Sequence, residues 1–272
     1  MIRLALRVAR ADAEIALAEL LELAPAGVEE VDRGETIEYA VYGAPGELPA
    51  LPDLRAAAGV ALVDITTTEV ADDWASRWRS FHRPLTIGGR LHVRPPWAPR
   101  ADDPTLLEIV VDPGQAFGTG AHHTTRMCLQ ALLELEPGGA LADLGSGSGV
   151  LAIAAAKLGW APVAGVDHDP ESVSATRENA IVNGVEVQAR RADLLHGGPV
   201  PTAPTVMANL VRPLLAHVAD AGFDGEAPRV LVASGLLHDE ADEIAGAFGA
   251  FGLRERARRH SGEWTALTLV RH

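Results

Sequence analysis

Asp143-Leu144-Gly145-Ser146-Gly147-Ser148-Gly149 is the stretch of this 272-residue chain best suited to chemistry. It follows an apolar run, Ala140 to Ala142, and opens onto Val150 to Leu158, which is rich in helix formers. Strand, glycine turn and helix in that order let backbone approach a nucleotide-like ligand closely. A second apolar run, Val163 to Val166, ends in Asp167, where a carboxylate can accept hydrogen bonds from both hydroxyls of a ribose. The glycines fall as G-x-G-x-G, and Val150 stands where a dinucleotide site places its third small residue. That spacing favours S-adenosylmethionine, which has no pyrophosphate to neutralise, over NAD. Gly145, Gly147 and Asp167 are thus the first candidate cofactor contacts.

Three other stretches reach the rim beyond the strand ends. Asp193-Leu194 follows a third strand, where a carboxylate can accept from an adenine amino group; a surface acid in a loop is an equal reading. Asn209-Leu210 ends a fourth strand, beside where a transferable methyl group would sit. A side-chain carbonyl there can hydrogen-bond an amine and aim its lone pair at the sulfonium carbon. The third stretch, Asp112-Pro113-Gly114-Gln115-Ala116-Phe117-Gly118-Thr119-Gly120, runs into Ala121-His122-His123-Thr124-Thr125. A glycine-rich loop entering a helix at two threonines can lay backbone donors and hydroxyls on a carboxylate, such as that of a methionyl group. His122 and His123 have no carboxylate at metal-ligand spacing, so no metal site is expected and a structural role is preferred.

Composition narrows the classes. Cys128 is the only cysteine, which excludes an intramolecular disulfide framework and a cysteine-built zinc site. The net charge of −14 argues against direct nucleic-acid binding through a broad basic surface. Much of that acidity lies in residues 1–70, which could attract a basic protein partner or simply aid solubility. No run approaches the roughly 18 apolar residues of a membrane span, and the N-terminus alternates too regularly for a signal peptide. A cytoplasmic protein with no membrane association is expected.

The elements that must position these residues fall into two groups. Ile2 to Val8 alternates as a half-buried strand, and Asp12 to Leu23 has helical spacing. Residues 27–31 and 36–42 form a hairpin, 54–58 a helical turn and 62–65 a last strand, giving a small ferredoxin-like α+β domain over 1–70. Trp74, Trp78 and Phe81 mark one face of a linker helix over 71–83. Residues 84–272 contain short strands at 85–93 and 106–111, then alternate helix and strand. The pattern predicts an α/β domain with a mostly parallel sheet and helices on both faces. Leu253 to Ala257 and Thr265 to Val270 are read as a closing hairpin that adds one antiparallel strand at the edge.

Taken together, the loop Asp112 to Gly120 with Thr124-Thr125, Asp143 to Gly149, Gly165-Val166-Asp167-His168-Asp169-Pro170, Asn179-Ala180, Asn183-Gly184-Val185 and Ala208-Asn209-Leu210 resemble the ribosomal protein L11 methyltransferase family (PrmA). Asp73-Trp74, Pro96-Trp97 and Gly262-Glu263-Trp264 extend the likeness, which covers about residues 70–272. The resemblance implies a class I methyltransferase, Rossmann-like with a mostly parallel seven-stranded sheet, behind an N-terminal substrate-recognition domain. It implies S-adenosylmethionine contacts at Thr125, Gly145, Asp167 and Asn209, with Phe117 and Leu210 lining the site. Acceptors would be lysine side-chain amines and an α-amino group of the ribosomal protein. Two departures stand out: Ala121-His122-His123 replaces Thr-His-Pro, and Ser146 stands where Cys is frequent. Another amine substrate for the same fold, a non-catalytic ribosome-assembly partner and an NAD-dependent oxidoreductase remain the competing readings.

Overall fold

Alternating apolar side chains decide the first unit. The structure is a computed structural model describing residues 2–13, 16, 20, 28–43, 62–69, 83–112, 120–196, 198 and 200–271. The chain divides into two units, Met1–Phe81 and His82–His272. In the first, β1 (Ile2–Ala9) lies between β3 (Thr36–Gly43) and β4 (Leu62–Glu69), and β2 (Glu29–Asp32) pairs with β3. Every pairing is antiparallel. Leu4, Leu6, Val8, Ile37, Tyr39 and Val41 fall on one face and are buried with Ala13, Ala16 and Leu20. Those last three residues are helical, as the spacing predicts; Ile15, Leu17, Leu21 and Leu23 lie outside the described residues. So do the turn at 54–58 and the linker-helix aromatics Trp74, Trp78 and Phe81.

The opposite face is polar. There Glu38 accepts from Arg3 at 2.8 Å, Arg7 at 3.0 Å and Arg33 at 3.3 Å. These guanidiniums, Arg3 foremost, hold its carboxyl down at about 2 despite its burial.

The second unit opens with a three-stranded sheet. In it β5 (Leu85–Ile87) pairs antiparallel with β6 (Leu91–Arg94), and β6 pairs parallel with β7 (Leu107–Val110). The main sheet holds β8 (Leu141–Leu144), β9 (Val163–Asp167), β10 (Gln188–Arg191), β11 (Thr205–Asn209), β12 (Val230–Leu237), β13 (Arg254–Ser261) and β14 (Trp264–Val270), in the order β10-β9-β8-β11-β12-β14-β13. The pairings from β10 to β12 are parallel. The terminal hairpin departs from the sequence reading. Its second strand, β14, inserts beside β12, so the one antiparallel strand lies inside the sheet and β13, which runs in the same direction as β12, forms the edge. The burial pattern explains the choice: β14 is apolar and mostly buried, whereas β13, Arg254–Ser261, is charged and suits an edge.

Among the described residues five helices cover the sheet: α1 (His123–Leu133), α2 (Val150–Leu158), α3 (Pro170–Val182), α4 (Arg212–Ala221) and α5 (Ala241–Phe248). Successive residues of β11 serve opposite faces. Met207 packs with Leu129, Leu132 and Ile153 of α1 and α2, whereas Val206 and Ala208 pack with Leu215 and Ile244 of α4 and α5. Each fully buried leucine of this kind contributes about 1.5–3 kcal/mol. β10 begins only at Gln188, because Val185 and Val187 turn in against the first core instead of pairing.

Candidate functional site

The glycine turn joins the end of β8 to α2, and three backbone hydrogen bonds fix it to β9. Gly145 and Ser146 both donate to Val166 O, at 2.8 and 3.0 Å. Gly147 N donates to Asp167 Oδ2 at 2.9 Å, and Asp169 N donates to Oδ1 at 3.1 Å. Each oxygen of the buried Asp167 carboxylate is thus oriented by one backbone donor and retains accepting capacity. Asp169 caps α3, accepting from Glu171 N and Ser172 N, with Pro170 in the first turn. At the other end of the turn, Gly149 (φ 80°) abuts Thr176, whose Cα lies 3.0 Å from where a Cβ would be. Thr176 Oγ1 in turn donates to Gly147 O at 3.0 Å.

Asn209 meets Thr125 across the sheet rim. Asn209 Nδ2 donates to Thr125 Oγ1 at 3.2 Å, while no described residue donates to its side-chain carbonyl. Thr125 is buried in the first turn of α1, whose N-cap is His122. Beyond Asn209 the chain is held by Leu210 N, which donates to Ser234 O at 2.9 Å. Leu210 covers Gly145 closely: its Cδ2 lies 2.4 Å from where a Gly145 Cβ would be. Thr125, Gly145, Gly147, Asp167, Asn209 and Leu210 are therefore carried to one rim by four elements. Phe117 lies outside the described residues.

Asp193 is placed differently. It is exposed, and Leu195 N, His196 N and the His196 ring all bind its carboxylate, which lowers its pKa. These contacts make it the organiser of its own turn. His122 accepts from Thr124 N, pairs with Thr124 Oγ1 at 2.7 Å and stands edge-on to Trp264. Burial lowers its pKa, consistent with a neutral ring used as a cap. His123 pairs with Ser261 at 2.7 Å. Among the described residues no group of His, Cys, Asp and Glu could hold a metal ion. Cys128 is fully buried in α1, and burial pushes its thiol up to about 12.

Three positioning residues had no role assigned by sequence, although Asn179 and Asn183 stand in the motifs that carry the family resemblance. Asn179 Nδ2 donates to Ser148 O at 2.9 Å and its Oδ1 accepts from Asp112 N at 3.0 Å. One turn later, Asn183 exchanges two hydrogen bonds with the backbone of Val110. These asparagines tie the glycine turn and β7 to α3, and their four-residue spacing places them on one side of the helix. Gly235 (φ 90°) sits at a bulge in β12, where a Cβ would lie 2.4 Å from Leu210 O. A glycine two positions after the apolar strand run 230–233 was its sequence sign.

The charge of the site suits a cation. Asp143, buried beneath the turn, accepts from Ala152 N at 3.2 Å through Oδ2, while its Oδ1 has no hydrogen-bond partner among the described residues. Burial, aided by the Asp167 charge, pushes its carboxyl up to about 7. A buried carboxylate of this kind is stabilised by an incoming positive group. S-adenosylmethionine, with its sulfonium and ammonium, meets that requirement.

The family model for "Ribosomal protein L11 methyltransferase (PrmA)" matches residues 52–272. A protein of that name from Geobacter metallireducens is 41% identical over 207 residues, spanning 74% of this chain and 67% of the relative. One from Heliobacterium modesticaldum is 39% identical, spanning 74% of this chain and 64% of the relative, and thus less than two thirds of its length. Among solved structures, a ribosomal protein L11 methylase from Lactobacillus delbrueckii subsp. bulgaricus superposes with a TM-score of 0.61 at 26% identity, covering 70% of this chain and all of that one.

Proposed function

This chain belongs to the ribosomal protein L11 methyltransferase family, and we propose that it transfers the methyl group of S-adenosylmethionine to lysine side-chain amines and an α-amino group of ribosomal protein L11. The observation that carries the proposal is the Asn209–Thr125 hydrogen bond, which sets an amide with an open carbonyl at the rim that bears the glycine turn.

When bound, the cofactor supplies an electrophilic methyl group on a sulfonium. The residues of the chain bind, orient and exclude water. Asp167 would accept from the ribose, Gly145 and Gly147 would admit the cofactor against bare backbone, and Thr125 would meet the methionyl end. Phe117 would line the site and Asp193 the adenine side. Asn209 Oδ1 and the backbone of Leu210 would orient the acceptor amine. The amine must arrive neutral to offer its lone pair, so turnover should rise with pH until the acceptor is deprotonated. In-line displacement needs no covalent enzyme intermediate, so positioning supplies most of the acceleration.

Residues 1–51 lie before the family match, which makes the N-terminal unit the place where acceptor choice could differ. We assign substrate recognition to residues 1–70, connection to 71–83 and catalysis to 84–272. The test is incubation with methyl-labelled S-adenosylmethionine and ribosomal proteins from the same source. Label confined to L11 is the expected result. Label on a different protein would keep the chemistry and replace the substrate, whereas bound cofactor with no label would favour a non-catalytic role.

A further inference from the structure

Away from the cofactor rim, the second unit has a cleft of about 390 Å³ lined by Arg94, Arg100, Glu108, Lys157, Val182 and Asn183, among others. Its volume lies within the roughly 300–1,000 Å³ of small-ligand sites. Lys157 stands near the end of α2, eight residues beyond Gly149, or about 12 Å along the helix from the glycine turn. The cleft is therefore separate from the site described above.

Its charges do not balance internally. Arg94 is buried and already satisfied: Nε and Nη2 grip Glu108 at 2.9 and 3.2 Å, and Nη1 reaches the carbonyls of Pro95, Pro96 and Ala98. Of its five N–H groups, only one on Nη2 remains. The grip of Arg94 accordingly lowers the Glu108 pKa. Arg100 approaches the same carboxylate at 3.5 Å but is largely exposed. Lys157 has no ion-pair or hydrogen-bond partner among the described residues. Burial pulls its pKa below the usual lysine range, with the Glu108 charge opposing. It is also the only lysine among the 23 Lys and Arg residues of the chain. Three cations against one carboxylate leave two positive charges facing a single concavity. Such an arrangement favours an anion that completes it.

We propose that this cleft binds one phosphate dianion, either free orthophosphate or a phosphomonoester. The surplus of two charges matches a dianion, Arg supplies directional donors, and Lys157 supplies a point charge. Val182, largely exposed at the wall, offers an apolar surface to the organic part of a monoester. A nucleic-acid backbone fits poorly, because the whole chain carries −14 and repels an extended polyanion beyond the reach of a small cleft.

The solitary lysine makes the test site-specific. In the 272-residue chain with ¹³C-labelled lysine, only Lys157 contributes a Cε resonance. Titration with orthophosphate or glycerol phosphate, at constant ionic strength held by sodium chloride, should shift that resonance saturably. Arg100→Gln, at an exposed position, should weaken binding about tenfold, the loss of one charge-assisted hydrogen bond. In calorimetry, Lys157→Met should abolish the phosphate heat while S-adenosylmethionine still binds. Tighter binding of glycerol phosphate identifies the monoester as the ligand; equal binding identifies the free ion. A linear shift that sodium chloride reproduces would overturn the site, as would saturation unaltered by Arg100→Gln. Tighter binding of a single-stranded oligonucleotide than of either small ligand would overturn the dianion in favour of a polyanion.

Discussion

Gly147 N and Asp167 Oδ2, 2.9 Å apart, link the glycine turn to the acid that ends the next strand. Asp167 thus holds the turn in shape as well as offering its remaining lone pairs to a ligand. Asp167→Ala removes both functions, whereas Asp167→Asn keeps a carbonyl acceptor. Loss of a charge-assisted bond to a buried acceptor costs about 1.5–3 kcal/mol. Asp167→Ala should therefore raise the S-adenosylmethionine dissociation constant by about tenfold or more, and Asp167→Asn by less. Calorimetric titration measures both; equal effects would limit the residue to one function.

Asn209 predicts a different kinetic signature. Its amide braces Thr125, and the proposed function gives its carbonyl the task of orienting the acceptor. Asn209→Ala should depress kcat by about a hundredfold, the scale expected for loss of a positioned transition-state contact, while changing cofactor affinity by only a few-fold. Thr125→Val, which leaves the amide unbraced, should produce a milder loss of kcat. A cofactor affinity that falls in parallel with kcat would move Asn209 from the acceptor to the cofactor.

The two glycines that border Leu210 differ in what a methyl group would strike. At Gly145 the obstacle is the Leu210 Cδ2 tip, and at Gly235 it is the Leu210 carbonyl itself. Both have φ values that L-residues adopt rarely, 73° and 90°, so each alanine should destabilise by about 1 kcal/mol or more. Adding Leu210→Ala should relieve Gly145→Ala in part, leaving the backbone strain. It should not relieve Gly235→Ala, since the backbone atoms stay in place. Thermal midpoints of the four variants test this difference.

These contacts also mark where sequence stops being informative. Gly145, Gly147 and Asp167 were legible because one local unit of strand, turn, helix and strand brings them together. Thr125 and Asn209 were legible as strand-end and helix-start residues, but not as partners, since 84 positions separate them. Asn179, Asn183 and Gly235 serve backbone groups on other elements, and no local pattern records that. The position of β14 beside β12 was missed because a hairpin read along the chain does not say which strand faces inward. At Asp193 the strand-end position was legible, but not that its oxygens also hold its own turn.

In the first unit, Glu38 makes stability acid-sensitive. Its folded pKa of about 2 lies below the ordinary 4.5, so its contribution is complete above about pH 4.5 and is lost as pH falls toward 2. The three guanidiniums are between one-fifth and one-half exposed, so solvent reduces the effect to on the order of 2 kcal/mol. Glu38→Gln should lower the neutral-pH stability of this unit by that amount and flatten its acid titration. A denaturation series from neutral to acid pH would reveal an unchanged slope if the triad were inert.

Asp143 gives the opposite slope and connects stability to ligand binding. Its folded pKa, about 7, lies above the ordinary 3.8. Between those values the folded chain holds a proton that the unfolded chain has lost, so stability falls as pH rises through that window, by at most about 1.4 kcal/mol per unit. Asp143→Asn should remove this dependence and stabilise the free protein at alkaline pH. A cationic cofactor close to the carboxyl lowers its pKa again, so binding near pH 7 should release protons. Calorimetry in buffers of different ionisation enthalpy should detect that release in the unaltered protein and not in Asp143→Asn. Binding heats that do not vary with buffer would place the cofactor's positive groups away from Asp143, and the open Oδ1 would then need another partner.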